Sequence, residues 1–483
     1  MTQALQHFIN GRPIAASDGR VMNLVSPVDE SVYASAAAGT RADVDAAVAA
    51  ARSQLDGGAW SQMSGAQRGL LINKLADLIE RDAELIADMD ARGIGRSPIE
   101  PRLLDLPNAI GTYRTSAGWA DKLEGRTIPT PGYMGIKTLS YTQREPVGVV
   151  AAIVPWNTPF MITSWKVGPL LAAGCTVVIK PSEETPHSAL HLARLCQEAG
   201  FPDGVVNVVT GHGEVVGHAL CEHPGVDKIT FTGSPEVGRA IQRVAGPLFK
   251  RVSLELGGKS PQIVFDDASL EAAIQGCAMG LFFNQGQVCA AGSRVLVQRS
   301  IADKFAAMLA GAAQSVKVGN PADEGVQMGP VAKKEQFERV NRYIRNGVAE
   351  GAKLLAGGES THAKGWFVKP TILAGVNNSM TVAREEIFGP VGVVIPFDTE
   401  EEAIAIANDS HYGLGATVWT SNVARAHKVA HAVKAGAVGI NCWAPIDARL
   451  PWGGVKTSGL GRECGLAGVL AYTEEKVITV LLP

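Results

Sequence analysis

The residue best suited to act as a nucleophile is Cys289. It lies at the centre of residues 283–294, Phe-Asn-Gln-Gly-Gln-Val-Cys-Ala-Ala-Gly-Ser-Arg. Residues 267–283 are rich in Ala, Leu and Met and predict a helix, while residues 294–298 alternate like a strand. The thiol should therefore lie on a loop between two rigid elements. Backbone N–H groups there, with no proline at 287–293, would suit a nucleophile that must hold an oxyanion after attack. The alternative is that Cys289 is a small buried apolar side chain, as most free cysteines are.

Two further side chains could assist such a nucleophile. Glu255 lies in Leu-Glu-Leu-Gly-Gly-Lys, on the opposite face from its leucine neighbours, and partial burial would raise its pKa toward that of a general base. Asn157 lies in Val-Pro-Trp-Asn-Thr-Pro, where flanking prolines stiffen the loop and the amide could donate to developing negative charge. A structural Glu in an ion pair and a turn Asn are the alternatives.

Recurring buried strands must position these groups. Five apolar runs, at 148–154, 176–180, 205–210, 228–232 and 251–256, are separated by helical segments, which predicts a parallel sheet covered on both faces. Such sheets bind ligands beyond the carboxyl ends of their strands, so the loops there should carry the site. The alternation restarts after residue 258, with helices near 301–316 and 332–350 and strands near 367–373, 391–397, 416–420 and 438–441, which predicts a second α/β unit.

The chain before the first sheet predicts a supporting unit. Extended runs at 8–11 and 21–25 indicate an edge hairpin, Thr40 should cap a helix over 41–51, and residues 67–90 repeat apolar residues at helical spacing. The segments 127–143 and 476–482 alternate apolar and polar residues, as strands for subunit pairing or ordinary edge strands do.

The strand-end loops contain groups suited to a dinucleotide. Lys180, Ser182 and Glu183 follow the second strand, where a carboxylate would bind a ribose and repel a 2′-phosphate, so NAD is favoured over NADP. Ser182 is placed to cap the helix that follows. A solvated carboxylate at a helix start is the alternative. Two glycine patterns compete for the phosphates: one contains Gly213, and the other contains Gly233, Ser234 and Gly238. Glu386 and Phe388, before the strand at 391, could hold a second ribose and its base.

Composition limits the partners. The 483 residues contain 44 Lys+Arg and 47 Asp+Glu, a net charge of -3 without a basic or acidic tail, so neither nucleic acid nor an anionic membrane is favoured. The seven cysteines form no C-x-x-C pair, as is usual in a reducing compartment. The longest apolar window, 146–165, contains prolines and an asparagine, which disfavours a membrane span. We expect a soluble cytoplasmic protein of two to four domains that binds a small molecule.

A metal site is not predicted. The pairs His187/His191 and His427/His431 have i, i+4 spacing, but neither forms an H-E-x-x-H motif. Solvated helix faces explain both pairs.

Taken together, these motifs resemble the NAD(P)-dependent aldehyde dehydrogenase superfamily over nearly the whole chain. The matching segments are Phe-Ile-Asn-Gly at 8–11, Pro-Trp-Asn at 155–157, Lys-Pro-Ser-Glu at 180–183, Phe-Thr-Gly-Ser at 231–234, Leu-Glu-Leu-Gly-Gly-Lys at 254–259, Gly-Gln-Val-Cys at 286–289 and Glu-Ile-Phe-Gly-Pro at 386–390.

The resemblance implies Cys289 as nucleophile, Glu255 as general base, and Asn157 with the Cys289 N–H as oxyanion hole. It implies an aldehyde substrate oxidised with NAD to the acid. The resemblance and the strand-end loops described above together indicate the cofactor-binding residues. These are Val154, Pro155, Trp156, Lys180, Ser182, Glu183, Gly213, Gly233, Ser234, Gly238, Leu256, Glu386 and Phe388. The implied substrate channel is mostly apolar, which favours a medium-sized aliphatic or aromatic aldehyde, and comprises Thr158, Met161, Ile162, Trp165, Val288, Trp443 and Ile446.

The implied fold is α/β: a Rossmann-like parallel-sheet dinucleotide domain, a second α/β catalytic domain and a small β bridging domain. We assign 1–123 and 144–257 to NAD binding, 258–457 to catalysis, and 124–143 and 470–483 to strands that build homodimers or homotetramers. Two alternatives remain open. One is an acylating relative that passes the thioester to coenzyme A, although such relatives generally lack the acid at 255. The other is a catalytically silent structural family member.

Overall fold

The computed structural model describes residues 4–358, 360, 362–443 and 445–482. In chain order, strands β1 to β20 are His7–Ile9, Arg12–Ile14, Val21–Val25, Val32–Ala37, Thr127–Ile128, Thr138–Pro146, Val149–Ile153, Thr176–Lys180, Val206–Val208, Lys228–Thr232, Arg251–Glu255, Pro261–Val264, Arg294–Gln298, Lys353–Ala356, Thr371–Ala374, Val391–Phe397, Gly415–Trp419, Ala437–Ile440, Gly459–Leu460 and Thr473–Leu481. Helices α1 to α15 are Arg41–Leu55, Gly65–Arg81, Ala83–Ile94, Leu106–Trp119, Pro159–Ala173, His187–Ala199, His218–Glu222, Pro235–Ala245, Leu270–Phe282, Ala302–Ser315, Lys334–Ala349, Thr381–Arg384, Glu400–Asn408, Val423–Ala432 and Gly465–Leu470.

The first sheet has the order β19-β11-β10-β7-β8-β9-β1-β2. Its five central strands are parallel, and their residues are almost all buried because helices cover both faces. The chain moves outward from β7 through β8 to β9, then crosses back to β10 and β11. This reversal opens a crevice between the carboxyl ends of β7 and β10, where a Rossmann-like sheet binds its ligand. The predicted parallel sheet is therefore confirmed.

The second sheet has the order β14-β15-β16-β13-β12-β17-β18, with every pair parallel except β14 with β15. β12 was not predicted, because it is a run of only four residues that begins soon after β11 ends. The strand expected over 367–373 is instead β15, Thr371–Ala374. Pro370, just before β15, has no N–H to donate to a neighbouring strand.

A third sheet, β20-β6-β5, stands apart from the other two. β6 and β20 pair antiparallel over nine residues, from Thr473 opposite Pro146 to Leu481 opposite Thr138. The two alternating segments near 127–143 and 476–482 therefore pair with each other within one chain. Several of their apolar side chains are exposed, namely Ile128, Leu139, Val477, Val480 and Leu481.

The amino-terminal region differs from its predicted pattern in two places. The runs at 8–11 and 21–25 do not form one hairpin: β1 pairs with β2 on the edge of the first sheet, and β3 pairs with β4 in a separate sheet. Residues 67–90 do not form one helix, because the chain breaks at Asp82 between α2 and α3. The predicted start of α1 after Thr40 is confirmed, and the Thr40 N–H donates to Asp43 at 2.8 Å.

Within the described ranges, no helix is long and apolar enough to cross a membrane.

Candidate active site

Two cavities meet at Cys289. The polar cavity, about 510 Å³, is lined by residues from both large sheets, including the charged side chains of Glu236, Arg239, Glu255, Lys333, Arg339, Glu385 and Glu386. The apolar cavity, about 670 Å³, is lined mainly by aliphatic and aromatic side chains. Cys289 and Asn157 line both. The sulfur is therefore reachable from two differently built compartments.

The first sheet faces this junction with the carboxyl ends of its strands, and the second sheet faces it with the amino ends of its strands. Glu255 is the last residue of β11, and Asn157 follows β7, so both lie at carboxyl ends of the first sheet. Cys289 precedes β13 and Glu386 precedes β16, so both lie at amino ends of the second sheet. The rule that ligands bind beyond carboxyl ends therefore locates only half of the site.

The loop before Cys289 is held by buried amides. Asn284 has a left-handed backbone, φ 49°, and its Nδ2 donates to the Asn157 carbonyl at 2.8 Å. The Asn157 Nδ2 in turn donates to the Gln287 carbonyl at 3.0 Å. The Gln287 Oε1 accepts from the Ala332 N–H at 2.9 Å. These bonds fix the Asn157 amide beside the cysteine loop and leave its second N–H available.

The Cys289 thiol is protonated at rest. Burial raises its pKa to about 12, and the nearby carboxylates of Glu255 and Glu386 add to the increase. A thiolate therefore requires a change in this environment, such as the arrival of positive charge or removal of the proton by a base.

Glu255 is a buried acid that lines the polar cavity. Its side chain is 5% exposed, and its Oε1 has no hydrogen-bond partner among the described residues. Burial, followed by the charge of Glu463, raises its pKa well above the usual value, while Lys166 opposes this increase. Lys166 is itself buried and forms an ion pair with Glu463. Lys166 and Glu463 were missed by sequence analysis because they carry no motif and lie 297 positions apart.

The polar cavity has features that fit a dinucleotide. The amino terminus of α8 opens into it at Ser234, whose Oγ accepts from the Val237 N–H at 3.3 Å, and the free N–H groups of a helix start favour a phosphate. Across the cavity, Glu386 Oε1 accepts from the Gly258 N–H at 3.1 Å. The rings of Trp156 and Phe388 meet edge to face, with centroids 5.3 Å apart.

A second cluster forms at the ends of β8 and β9. Glu183 Oε1 accepts from the Gly213 N–H at 2.6 Å and lies 3.3 Å from Lys180 Nζ. The predicted role of Ser182 as the cap of the next helix is wrong: α6 begins after Pro186, and the Ser182 hydroxyl donates to Glu184. Lys333, which lines the polar cavity, pairs with Glu184 at 2.7 Å and so places this cluster at the cavity's border.

Most of the predicted cofactor residues converge on the polar cavity. Those that line it are Pro155, Trp156, Gly233, Ser234, Leu256, Glu386 and Phe388. Those that do not are Val154, Lys180, Ser182, Glu183, Gly213 and Gly238. Gly238 has a packing reason to be glycine, since a Cβ there would lie 2.9 Å from the Leu256 side chain.

All seven predicted substrate residues line the apolar cavity: Thr158, Met161, Ile162, Trp165, Val288, Trp443 and Ile446. Additional wall residues come from segments that carry no motif. Examples are Ile99, Leu103 and Leu104, near a π-helical turn at Pro101–Asp105, and Trp452, whose ring centroid is 5.9 Å from that of Trp165.

Several polar lining residues were also missed. Gln336 donates to the Ile387 carbonyl at 2.9 Å, and Arg339 donates to the Glu386 carbonyl at 2.5 Å, so α11 fixes the loop that carries Glu386 and Phe388. Helical periodicity predicted this helix, but it could not show which loop the helix faces.

The histidines of the first i, i+4 pair, His187 and His191, contact residues other than a metal ligand set. The His187 ring stacks on Tyr33, with centroids 5.9 Å apart, and His191 Nε2 lies 2.8 Å from Asp82. The described residues contain no group of three or more His, Cys, Asp or Glu side chains that could hold a metal ion.

Comparisons with known proteins agree over almost the whole chain. Residues 14–478 match the family model described as "Aldehyde dehydrogenase family". An aldehyde dehydrogenase of Emericella nidulans is 47% identical over 477 residues, covering 99% of this chain and 95% of that protein. The human mitochondrial aldehyde dehydrogenase is 45% identical over 480 residues, covering 99% and 92%.

Solved structures give the same result. The NAD+ complex of a Bacillus cereus aldehyde dehydrogenase superposes with a TM-score of 0.97 at 46% identity, covering 100% of this chain and 97% of that one. The chain therefore belongs to the aldehyde dehydrogenase family, the NAD-dependent oxidoreductases that convert aldehydes to carboxylic acids through a catalytic cysteine.

Proposed function

We propose that Cys289, Asn157 and Glu255 perform this oxidation where the two cavities meet. The aldehyde enters from the apolar cavity, and the polar cavity holds NAD+, which supplies the hydride acceptor. The observation that carries the proposal is that Cys289 and Asn157 line both cavities while Glu255 lines the polar one. A nucleophile placed there can contact substrate and cofactor together.

The first chemical step is attack by sulfur on the aldehyde carbon. The thiol loses its proton to solvent water as the aldehyde arrives, and the C–S bond forms as the carbonyl π electrons move to oxygen. The Asn157 amide and the Cys289 N–H hold the resulting oxyanion of the thiohemiacetal. When the oxyanion reforms the C=O bond, the carbon releases hydride, for which bound NAD+ would be the acceptor, and becomes a thioester on Cys289.

The second step is hydrolysis. Glu255 accepts a proton from water while the water oxygen bonds to the thioester carbon, and the same two donors hold the tetrahedral oxyanion. Collapse breaks the C–S bond, releases the carboxylic acid and leaves Cys289 as a thiolate, which takes the proton from Glu255 and so restores the thiol and the carboxylate. The raised pKa of Glu255 suits this role, because a base is most effective with a pKa close to working pH.

The test is to follow NADH formation with aliphatic and aromatic aldehydes, with and without coenzyme A. Oxidation without coenzyme A, with one acid formed per NADH, supports the proposal. An absolute requirement for coenzyme A would replace hydrolysis with acyl transfer. Full oxidation by protein alkylated at Cys289 would refute the assignment of the nucleophile, and the absence of any oxidation would favour the silent structural alternative.

We also propose how the cofactor is held. Lys180 and Glu183 would bind the adenosine ribose, aided by Ser182, with Gly213, Gly233 and Ser234 near the phosphates. Glu386 and Phe388 would flank the nicotinamide ribose, with Val154, Pro155, Trp156, Gly238 and Leu256 forming the walls. The contact of Glu183 with Gly213 and Lys180 supports this set, as does the carboxylate of Glu386 in the polar cavity. The Glu183 carboxylate would repel a 2′-phosphate, so NADP should bind less well.

The domain limits, assembly and compartment belong to the same proposal. We assign 1–123 and 144–257 to NAD binding, 258–457 to catalysis, and 124–143 and 470–483 to a homodimer or homotetramer interface. The exposed apolar residues of the third sheet support an interface there. The seven free cysteines support a reducing cytoplasm. Native mass spectrometry of the wild type and of Val477→Lys would test the interface.

A further inference from the structure

The apolar cavity is larger than a short aldehyde needs. Its volume of about 670 Å³ lies within the range of about 300–1,000 Å³ that holds drug-sized ligands. Acetaldehyde or propanal would leave most of this space filled with water against aromatic walls. Water gains little there, because the lining offers few hydrogen-bond partners.

The mouth of the cavity is also apolar. Ile99, Leu103 and Met279 line the cavity and yet are 58%, 76% and 55% exposed, so they form its outer rim. Single exposed hydrophobic residues need no explanation, but three at one opening form a patch that continues the inner wall outward. An occupant long enough to reach from Cys289 to this rim would cover them.

The wall below the rim is fixed in place. Arg96 and Asp105, both fully buried, pair across the turn that carries Leu103. Glu100, from the same turn, accepts the Asn284 N–H at 3.3 Å and so ties the wall to the cysteine loop. The cavity is therefore preformed, and a ligand does not lose affinity to ordering this wall.

The described lining of the cavity offers a polar substrate almost no charge. Among the described lining residues, Glu100 alone carries a carboxylate, ammonium or guanidinium group. Its Oε1 accepts the Asn284 N–H, and its Oε2 is closed off from solvent. A quaternary amine or a second carboxylate on the substrate would therefore lose its hydration without gaining a partner.

Resting on the proposed function, we propose that the substrate is an uncharged apolar aldehyde with a chain of roughly ten carbons or an equivalent ring system, and that Ile99, Leu103 and Met279 select for it. Each methylene buried against the wall should then improve binding by about two- to fourfold. This substrate is longer than the medium-sized aldehyde that the sequence favoured.

The first experiment measures kcat/KM with NAD+ for straight-chain aldehydes from two to twelve carbons, with betaine aldehyde and succinic semialdehyde for comparison. We expect kcat/KM to rise with each methylene to about ten carbons and both charged aldehydes to be poor substrates. A flat or falling series, or preference for a charged aldehyde, would overturn the inference while leaving aldehyde oxidation established.

A second measurement does not depend on turnover. Decanamide, an uncharged mimic of the acyl chain, is titrated into Cys289→Ala and followed by tryptophan fluorescence, since Trp165, Trp443 and Trp452 line the cavity. It should bind at least a hundredfold more tightly than propanamide. Equal affinities would refute the inference even if no aldehyde were oxidised, a result that would separately refute the proposed function.

The rim is tested by Leu103→Asp, with Leu70→Asp as the matched control. Leu70 is 72% exposed on α2 and does not line the cavity. Leu103→Asp should lower the ratio of kcat/KM for decanal to that for propanal about tenfold, whereas the control should keep the wild-type ratio. Equal ratios in both variants would show that the rim does not select the substrate.

Discussion

The two cavities recognise their ligands in different ways. The polar cavity is lined by a helix amino terminus, by carboxylates and by loops held in place by hydrogen bonds. Each of these groups makes directional polar contacts. The apolar cavity is lined mainly by aliphatic and aromatic side chains, which have bulk but few hydrogen-bonding groups. The difference indicates that NAD+ is recognised group by group, whereas the aldehyde is recognised by shape and by burial of apolar surface. Variants on each side should therefore change different kinetic constants.

The largest effect should come from the residue that both cavities share. Cys289→Ser replaces the sulfur nucleophile with a hydroxyl that stays protonated, so turnover should fall by about four orders of magnitude or more. Steady-state NADH formation measures this fall, and circular dichroism checks the fold. Cys442→Ser, at an exposed cysteine, is the control. A Cys289→Ser variant with a tenth of normal activity would contradict the proposal.

Glu255→Gln should separate the two chemical steps. The thioester should still form while its hydrolysis slows by about 10²- to 10⁴-fold, giving a burst of one NADH per active site followed by a slow steady state. In the wild type, the rate of hydrolysis should rise with pH through values well above 4.5, because Glu255 must lose its proton to act and its pKa is raised. Rapid-mixing fluorescence of NADH measures both. Equal slowing of burst and steady state would argue against a role confined to hydrolysis.

Asn157→Ala removes one of two oxyanion donors. Losing one such donor costs about 3 kcal/mol, so kcat should fall by about two orders of magnitude. The same change removes the bond to the Gln287 carbonyl, so thermal unfolding must be measured alongside. An unchanged rate in a folded variant would mean that backbone N–H groups alone hold the oxyanion.

At the border of the polar cavity, Glu183→Gln should weaken the preference for NAD over NADP and should not change the KM for the aldehyde. Losing the charge removes a charge-assisted bond to the Gly213 N–H and the repulsion of a 2′-phosphate. The ratio of kcat/KM for NADP to that for NAD should therefore rise about tenfold. Initial rates with both cofactors at saturating aldehyde measure this ratio. A matching change in the aldehyde KM would indicate that the cavities are coupled.

On the apolar side, Ile446→Ala should have the smallest effect. Removing buried methylene groups from the wall should raise the KM of an apolar aldehyde about fivefold. The KM for NAD should not change, because Ile446 does not line the polar cavity. A change in the NAD constant instead would remove the distinction between the two cavities.

The strands were largely predictable because their side-chain pattern is local. β8, β10 and β13 have the predicted bounds, and the central residues of each are mostly apolar and buried on both faces. The errors arose where tertiary context decides. β12 is too short for a periodic signal, and the break at Asp82 interrupts an apolar pattern that continues on both sides of it.

Some residues of the candidate site were likewise predictable from local sequence, and others were not. Cys289, Asn157 and Glu255 stand out because each lies in a short segment with unusual flanking residues, and the resemblance to a family joins these segments. Lys166 and Glu463 were missed, since a buried ion pair between distant residues leaves no local pattern. The pKa of Cys289 was also beyond the sequence, because it depends on burial and on two carboxylates that folding brings near.

By itself, the sequence determined which residue types could do the chemistry, the order of strands and helices that carries them, and the kind of cofactor. Only the tertiary structure decided that the carboxyl ends of one sheet face the amino ends of the other, and that two unlike cavities join at one sulfur. The physical reason is that backbone periodicity is a local property, whereas cavity shape, burial and electrostatic environment arise from contacts between residues far apart in the chain.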